Sequence, residues 1–268
     1  QKPGFDLGLK LEKCLAVNPK IRGIVLGSHG LITWGDTSLE CYVNSLEVIE
    51  KASNYIEEKI SQNKVVFSGQ KVKPLSENHR QEKASELMPI LRGLCSSVNQ
   101  MVGHFTDDDN VLSFVNSYDL DRLAPMGTSC PDHFLRTKRL PMVLPSLSSL
   151  LENENQLKKI LENHLKKYKK MYSKYYNRNK NRNSPKLRDP YPVIVLVPEF
   201  GMMSFAKNKS TARIASEFFC NAINVMKGAE GVSKYTGLSE KEAFKIEYWD
   251  LEEAKLKRMP QAKELAGQ

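Results

Sequence analysis

Two short apolar runs on either side of a glycine-bracketed turn constrain this chain most. Residues 24–26 and 31–34 are rich in β-branched and other apolar side chains, and Gly27 and Gly30 enclose His29 between them. The pattern predicts two strand segments joined by a turn that presents one imidazole at a strand end. A histidine held on rigid backbone suits metal ligation or proton transfer. A half-buried structural histidine in a turn is the alternative that these residues leave open.

Hydrophobic periodicity predicts helices alternating with short strands along the rest of the chain. Apolar residues three and four positions apart indicate helices, and short β-branched runs indicate strands. Pro89 is expected to kink the helix in which it lies, or to delay its start. The predicted helices are 5–17, 38–61, 80–102, 147–177, 209–229 and one that follows Ser239, and the predicted strands are 24–26, 31–34, 65–67, 111–115 and 191–198.

The predicted helix 38–61 has the clearest start and face. Thr37 and Glu40 form a capping box, and the apolar residues that follow recur at helical spacing. This helix is expected to bury one face, consisting of Leu39, Tyr42, Val43, Leu46, Ile49, Ile56 and Ile60.

The second half of the chain resembles the strand, turn and helix around His29. The run from Val25 to Trp34 is similar to the run from Val195 to Phe205, and residues 42–52 are similar to residues 219–229. The second half is therefore predicted to be a degenerate copy of the first unit, with inserted residues and without its histidine.

A loop between Gly127 and Pro141 is the second stretch rich in chemistry. His133, Arg136 and Lys138 are candidate substrate-binding residues, because Arg and Lys can hold a phosphate or carboxylate and lie on one side of an extended segment. A purely structural network of Asp132, His133 and Arg136 is the competing interpretation. The acidic run 107–110 is read as a solvated turn or a helix cap.

A strongly basic segment follows. Residues 158–188 hold twelve Lys or Arg against the single acid Glu162, which concentrates much of the formal net charge of +9. Such a helix could bind RNA, a membrane surface or an acidic partner. We favour a solvated cationic face on a helix whose tyrosine-rich stripe packs on the core, followed by a polar loop at 177–189.

Composition places the chain among cytoplasmic globular proteins. A chain of 268 residues that is 40% hydrophobic can form proper cores, and it has neither a secretory signal nor an apolar run of the roughly 18 to 20 residues that span a membrane. The five cysteines are scattered without a C-x-x-C pair, which fits a reducing compartment. Because Gln1 is not a natural start, we expect an excerpt of a longer protein.

Four motifs together resemble the class II aldolase/adducin-head family. They are residues 2–7, the segment from Leu26 to Gly35, residues 127–138 and residues 246–255. The likeness extends over essentially the whole chain and is strongest to a subgroup in which a rhamnulose-1-phosphate aldolase is fused to a short-chain dehydrogenase.

The resemblance implies an α/β fold, with a class II aldolase-like sheet covered by helices in α/β/α layers and a long helical insertion. The N-terminal aldolase part and a C-terminal Rossmann domain would lie outside the chain. The implied domains are 1–70, the end of the aldolase domain; 71–190, a helical region with the Cys-Pro-Asp-His loop and basic helix; and 191–268, the repeated unit before the dehydrogenase.

The resemblance also implies a function. His29 would be one ligand of a catalytic Zn²⁺ whose other ligands lie upstream, so the excerpt alone is expected to be inactive. The parent would cleave rhamnulose 1-phosphate to dihydroxyacetone phosphate and lactaldehyde, and NAD would bind only in the absent dehydrogenase domain. The expected partners are a sugar phosphate and further copies of the chain, without membrane and without nucleic acid. The alternative is a metal-free adducin-head-like interaction module that uses the basic helix.

Overall fold

The computed structural model describes residues 4–27, 29–62, 65–96, 99–152, 156–251, 254 and 258. Its helices are α1 (Phe5–Val17), α2 (Ser38–Gln62), α3 (Glu77–Cys95), α4 (Asp109–Val115), α5 (Leu120–Leu123), α6 (Phe134–Thr137), α7 (Leu147–Leu151), α8 (Leu157–Asn179), α9 (Lys209–Val232) and α10 (Glu240–Glu247). Its strands are β1 (Gly23–Leu26), β2 (Gly30–Thr33), β3 (Val102–Thr106), β4 (Met142–Val143), β5 (Ile194–Val197) and β6 (Gly201–Ala206).

A mixed sheet in the order β3-β6-β5-β4 forms the centre of the fold. The strand β6 is antiparallel to both β3 and β5, whereas β4 runs parallel to β5. All four residues of β5 are buried, as expected for a strand covered on both faces. The sheet takes strands from both the second and the third of the domains predicted from the sequence.

Helices cover both faces of this sheet, which confirms the α/β layering. Because side chains alternate along a strand, Val195 and Met203 pack with α3, α8 and α10 on one face. Leu196 and Met202 pack with α4, α5 and α9 on the other.

The tyrosine-rich stripe of the basic segment packs on the core, as predicted. Tyr168, Tyr172, Tyr175 and Tyr176 of α8 are buried, and the lysines of this helix are exposed except for the partly buried Lys169. The predicted single helix 147–177 is wrong, however, because α7 and α8 are separate helices. Each segment buries its own apolar residues in the same cluster, so the periodicity continues although the helix does not.

Two predicted strands are wrong. Residues 66–68 form a short 3₁₀ turn, in which Phe67 has a positive φ of 50°. Residues 111–115 belong to helix α4, because Asp108 accepts a hydrogen bond from the Val111 backbone N–H at 2.8 Å and caps the helix. A short apolar run suits a buried strand and a buried helix equally, and here the cap decides. The acidic run 107–110 thus contains the predicted helix cap.

The helix that contains Pro89 also differs from its prediction. It begins at Glu77, well before the proline, and ends at Cys95 instead of continuing to 102. Residues 102–106 form β3, which the sequence had not indicated.

The predicted buried face of α2 is wrong over most of its length. Asn44 is the buried residue of this helix, and its apolar side chains from Leu39 to Ile49 are largely exposed. Only the C-terminal part packs closely, where Ile56 and Ile60 lie against two glycines of α9. The exposed fractions are 70% for Leu39, 61% for Tyr42, 40% for Val43, 47% for Leu46 and 56% for Ile49.

A repeat of the strand, turn and helix unit is present in the structure, but the predicted alignment is wrong: a single interval without inserted residues relates the two units, so residues 42–52 correspond to 213–223 and not to 219–229. In β1–β2, Gly23 pairs with Thr33, and in β5–β6 Ile194 pairs with Ser204, each residue standing 171 positions after its counterpart. The same interval relates the first residues of α2 and α9. Even one side-chain hydrogen bond is repeated: the Thr33 hydroxyl donates to the carbonyl of Cys41 at 3.4 Å, and the Ser204 hydroxyl to that of Ala212 at 2.7 Å.

The repeat allows the cost of a side chain at its two turns to be compared at equivalent glycines. Gly30 and Gly201 are counterparts, with φ values of 155° and 137°. A Cβ on Gly201 would lie 2.7 Å from the Thr106 carbonyl oxygen, whereas a Cβ on Gly30 would meet nothing within 4 Å. We expect Gly201→Ala to lower the free energy of unfolding by about 3 kcal/mol and Gly30→Ala by only about 1 kcal/mol. Urea unfolding of both variants measures this difference, and equal losses would contradict it.

Candidate functional site

His29 lies in the turn between β1 and β2, as predicted. Its backbone N–H donates to the carbonyl of Leu26 at 3.0 Å, and the positive φ of Gly30 returns the chain into β2. The side chain is half-buried at the tip of the hairpin. The backbone that carries this imidazole is therefore fixed by the geometry of the turn.

Polar contacts attach α2 to this hairpin. The Thr33 hydroxyl lies 2.5 Å from that of Ser45, and the Asn44 side-chain amide donates to the Trp34 carbonyl at 2.8 Å. Arg22 donates in turn to the Asn44 side-chain oxygen at 3.2 Å. Because buried polar groups with satisfied partners hold a defined geometry, these bonds fix the helix against the strands that carry His29.

The described residues do not complete a metal site by themselves. No group of three or more His, Cys, Asp or Glu in this part of the chain is placed to hold a metal ion. Catalytic zinc takes about three protein ligands and keeps one position open. One imidazole on a rigid turn fits the role of a single ligand, with the others supplied from elsewhere.

The second candidate residue, His133, is buried against α9. Its Nδ1 lies 3.0 Å from the Thr128 hydroxyl and its Nε2 3.5 Å from the Asn221 side-chain amide, and its ring meets Phe218 edge-on. Burial lowers the pKa of this imidazole, which favours its neutral form.

Arg136 and Lys138 do not alternate along an extended segment as predicted. Arg136 lies half-buried in α6, and Lys138 follows this helix with a positive φ of 59°. The Lys138 ammonium donates to the backbone carbonyls of Asp189 and Tyr191 and lies 4.4 Å from the centre of the Tyr172 ring. Burial lowers its pKa to about 8. The ammonium thus faces the protein interior, and a substrate contact by His133, Arg136 or Lys138 stays a prediction.

Glu247 forms a buried polar cluster that sequence reasoning missed. This fully buried carboxylate accepts hydrogen bonds from Tyr172 at 2.6 Å and Tyr175 at 2.9 Å, and Tyr248 lies 2.8 Å from the Tyr172 hydroxyl. Burial raises the pKa of Glu247, while the tyrosines and the positive charge of Lys138 act against that rise. Glu247 belongs to the motif 246–255. No feature of the sequence around it predicts its contact with tyrosines on a helix some 70 positions earlier.

Among the described residues, no helix is both long and apolar enough to cross a membrane.

Comparisons with known proteins agree with this architecture. The family described as "Aldolase class II, second domain" matches residues 82–256. The chain is 32% identical over 259 residues to the "Uncharacterized oxidoreductase YuxG" of Bacillus subtilis (strain 168), covering 97% of this chain and 37% of that protein. No solved structure matches. The chain accordingly belongs to the family of class II aldolase second domains.

Proposed function

We propose that this chain is part of a zinc-dependent class II aldolase that cleaves a ketose 1-phosphate, with His29 as one metal ligand. The membership of residues 82–256 in a class II aldolase family and the name of the oxidoreductase relative support an enzyme in the broad sense. The observation that carries the finer proposal is the place of His29 at the tip of a hairpin whose turn is closed by a backbone hydrogen bond and whose second strand is bonded to α2.

A bound divalent metal would supply Lewis acidity for the retro-aldol cleavage. His29 would hold this metal on a turn whose hairpin is attached to α2 by Thr33, Asn44 and Ser45. Of the predicted substrate contacts, we assign an anion contact to Arg136, since the ammonium of Lys138 is occupied by backbone carbonyls.

The proposed substrate is rhamnulose 1-phosphate, with dihydroxyacetone phosphate and lactaldehyde as products. A fused dehydrogenase would use NAD to act on lactaldehyde outside this chain, in keeping with a relative named as an oxidoreductase of which the chain spans 37%. We further propose that the enzyme is a cytoplasmic homo-oligomer. The five cysteines, none of which forms a disulfide, support a reducing compartment.

We also propose that residues 1–70 belong to a larger aldolase-like domain with a wider sheet. The repeat supports this, because β5–β6 is flanked by β3 and β4, whereas β1–β2 pairs with no further strand in the described residues. Val25 is 74% exposed, while its counterpart Leu196, which packs with α4, α5 and α9, is 0% exposed. Apolar positions of this kind usually lie against a partner segment.

Removal of the metal from the intact protein tests the function. After treatment with a chelator, release of dihydroxyacetone phosphate from rhamnulose 1-phosphate is expected to fall at least about 100-fold, because the Lewis acid contributes several kcal/mol to the transition state. Added Zn²⁺ should restore the rate. Full activity in protein shown by elemental analysis to be metal-free would overturn the proposal, as would zinc-loaded protein that cleaves no ketose 1-phosphate.

One observation favours a second candidate, a metal-free interaction module. The outward face of α8 carries Lys159, Lys166, Lys167, Lys170 and Lys174, all exposed. The tyrosines of this helix are buried, so they cannot stack on bases, which disfavours RNA. An intact protein without zinc that binds an acidic protein in a salt-sensitive way would support the module.

A further inference from the structure

A cavity of about 290 Å³ opens at the carboxyl ends of the parallel strands β4 and β5. Valine, leucine and proline side chains form most of its wall, and its polar lining consists of Lys71, Asn116, Ser117, Asp121 and Ser146. Pro198, the first residue after β5, also lines it. Because β5–β6 repeats β1–β2, this cavity adjoins the turn that corresponds to the turn of His29. Crevices at the carboxyl ends of parallel strands are common ligand sites in α/β proteins.

Asn116 lines this cavity, and one polar group of its buried side chain has no partner among the described residues. Asn116 is 2% exposed, and its side-chain oxygen accepts from the Glu199 backbone N–H at 2.6 Å, which fixes the orientation of the amide. The Nδ2 nitrogen on the other side has no hydrogen-bond partner among the described residues. Leaving a buried donor unpaired costs about 1 to 3 kcal/mol. A ligand oxygen that accepts from Nδ2 would remove that cost.

The rim of the cavity presents a donor beside an acceptor. The Lys71 ammonium lies 3.1 Å from the Asp121 carboxylate, with the two side chains 51% and 73% exposed. An exposed ion pair of this kind is weak, so the pair can open to include a ligand. A hydroxyl group both accepts and donates, and it can therefore bridge Lys71 and Asp121 as an anion or a cation cannot.

We propose that this cavity binds a small uncharged polyhydroxyl compound. One ligand oxygen accepts from Asn116 Nδ2, another hydroxyl bridges Lys71 and Asp121, and the carbon skeleton lies against the apolar wall. The balanced charge of the rim excludes phosphate as the preferred ligand, because a second anion beside Asp121 would be repelled. The site needs no metal, and it stands whether or not His29 binds zinc.

Titration of the ¹⁵N-labelled chain with xylitol tests the proposal directly. The side-chain amide resonance of Asn116 is expected to shift in a saturable manner with xylitol and to stay unchanged with inorganic phosphate. No saturable shift with xylitol would overturn the proposal. A saturable shift with phosphate alone would also overturn it, since the site would then recognise an anion.

Variants distinguish xylitol binding in this cavity from a general effect of xylitol as a cosolvent. Lys71→Met removes the rim donor at an exposed position and is expected to weaken xylitol binding about tenfold, the effect of losing one hydrogen bond to a charged group. Lys170→Met on α8 is the matched control, because Lys170 is exposed like Lys71 and does not line the cavity. Asn116→Asp keeps the acceptor for the Glu199 N–H but removes the Nδ2 donor, and it should abolish binding. Equal affinities in Lys71→Met and Lys170→Met would overturn the proposal even if Asn116→Asp failed to fold.

Discussion

Replacement of His29 by alanine in the intact protein is expected to remove its zinc and to lower its aldolase rate at least about 1,000-fold. A site with about three protein ligands loses most of its affinity when one is deleted, and without the metal the enolate is no longer stabilised. A loss of about 4 kcal/mol of transition-state stabilisation corresponds to that factor. Elemental analysis should give about one zinc per chain in the wild type and almost none in the variant.

A matched histidine and a stability measurement make this result specific. His79 is exposed on α3, so His79→Ala should leave both zinc content and rate unchanged. The turn at His29 is closed by its backbone N–H, which alanine retains, so His29→Ala should still fold and unfold in one cooperative transition. A His29→Ala protein that keeps its zinc and its rate would end the assignment.

Replacement of Glu247 by leucine is expected to lower the free energy of unfolding by about 3 to 5 kcal/mol. The carboxylate accepts from Tyr172 at 2.6 Å and Tyr175 at 2.9 Å in a fully buried site. Leucine would leave both hydroxyls without their acceptor, at about 1 to 3 kcal/mol for each unsatisfied group, and would leave Asp189 as the remaining carboxylate that acts on Lys138. Urea unfolding measures the loss.

An exposed glutamate provides the control for this substitution. Glu217 forms an ion pair with Arg213 one turn away on α9, and both side chains are more than half exposed. Glu217→Leu should therefore cost no more than about 0.5 kcal/mol. Similar losses for Glu217→Leu and Glu247→Leu would contradict a special role for the buried cluster.

The pH dependence of stability tests the same site. Because burial raises the pKa of Glu247 in the folded state, the folded protein holds this proton at pH values where the unfolded chain has released it. The contribution of this group to stability is complete below its unfolded pKa of about 4.5 and declines as pH rises through the folded pKa. Glu247→Gln cannot titrate, so wild type should lose stability relative to this variant as pH increases from 4. A constant difference between the two proteins would contradict the shift.

Local patterns along the chain were sufficient for several features. The helix bounds of α1 and α2 follow from periodicity and a stop or start signal, and the turn of His29 follows from its two glycines. The stripe of α8 faces the core because its tyrosines recur at helical spacing. The same information could not decide residues 111–115, where only the cap at Asp108 separates a helix from a strand.

Burial and pairing depended on segments far away in the sequence. Lys138 faces inward because its ammonium donates hydrogen bonds to the backbone carbonyls of Asp189 and Tyr191. The sequence around Lys138 does not predict these acceptors. The repeat shows the same limit within one chain. Val25 and Leu196 hold equivalent strand positions, yet one is exposed and the other buried, because α4, α5 and α9 cover Leu196. The sequence by itself determined the spacing of side chains along each helix and strand, because that spacing depends on neighbouring residues. The tertiary structure decided which of these side chains are buried, because burial depends on the distant segments that cover them.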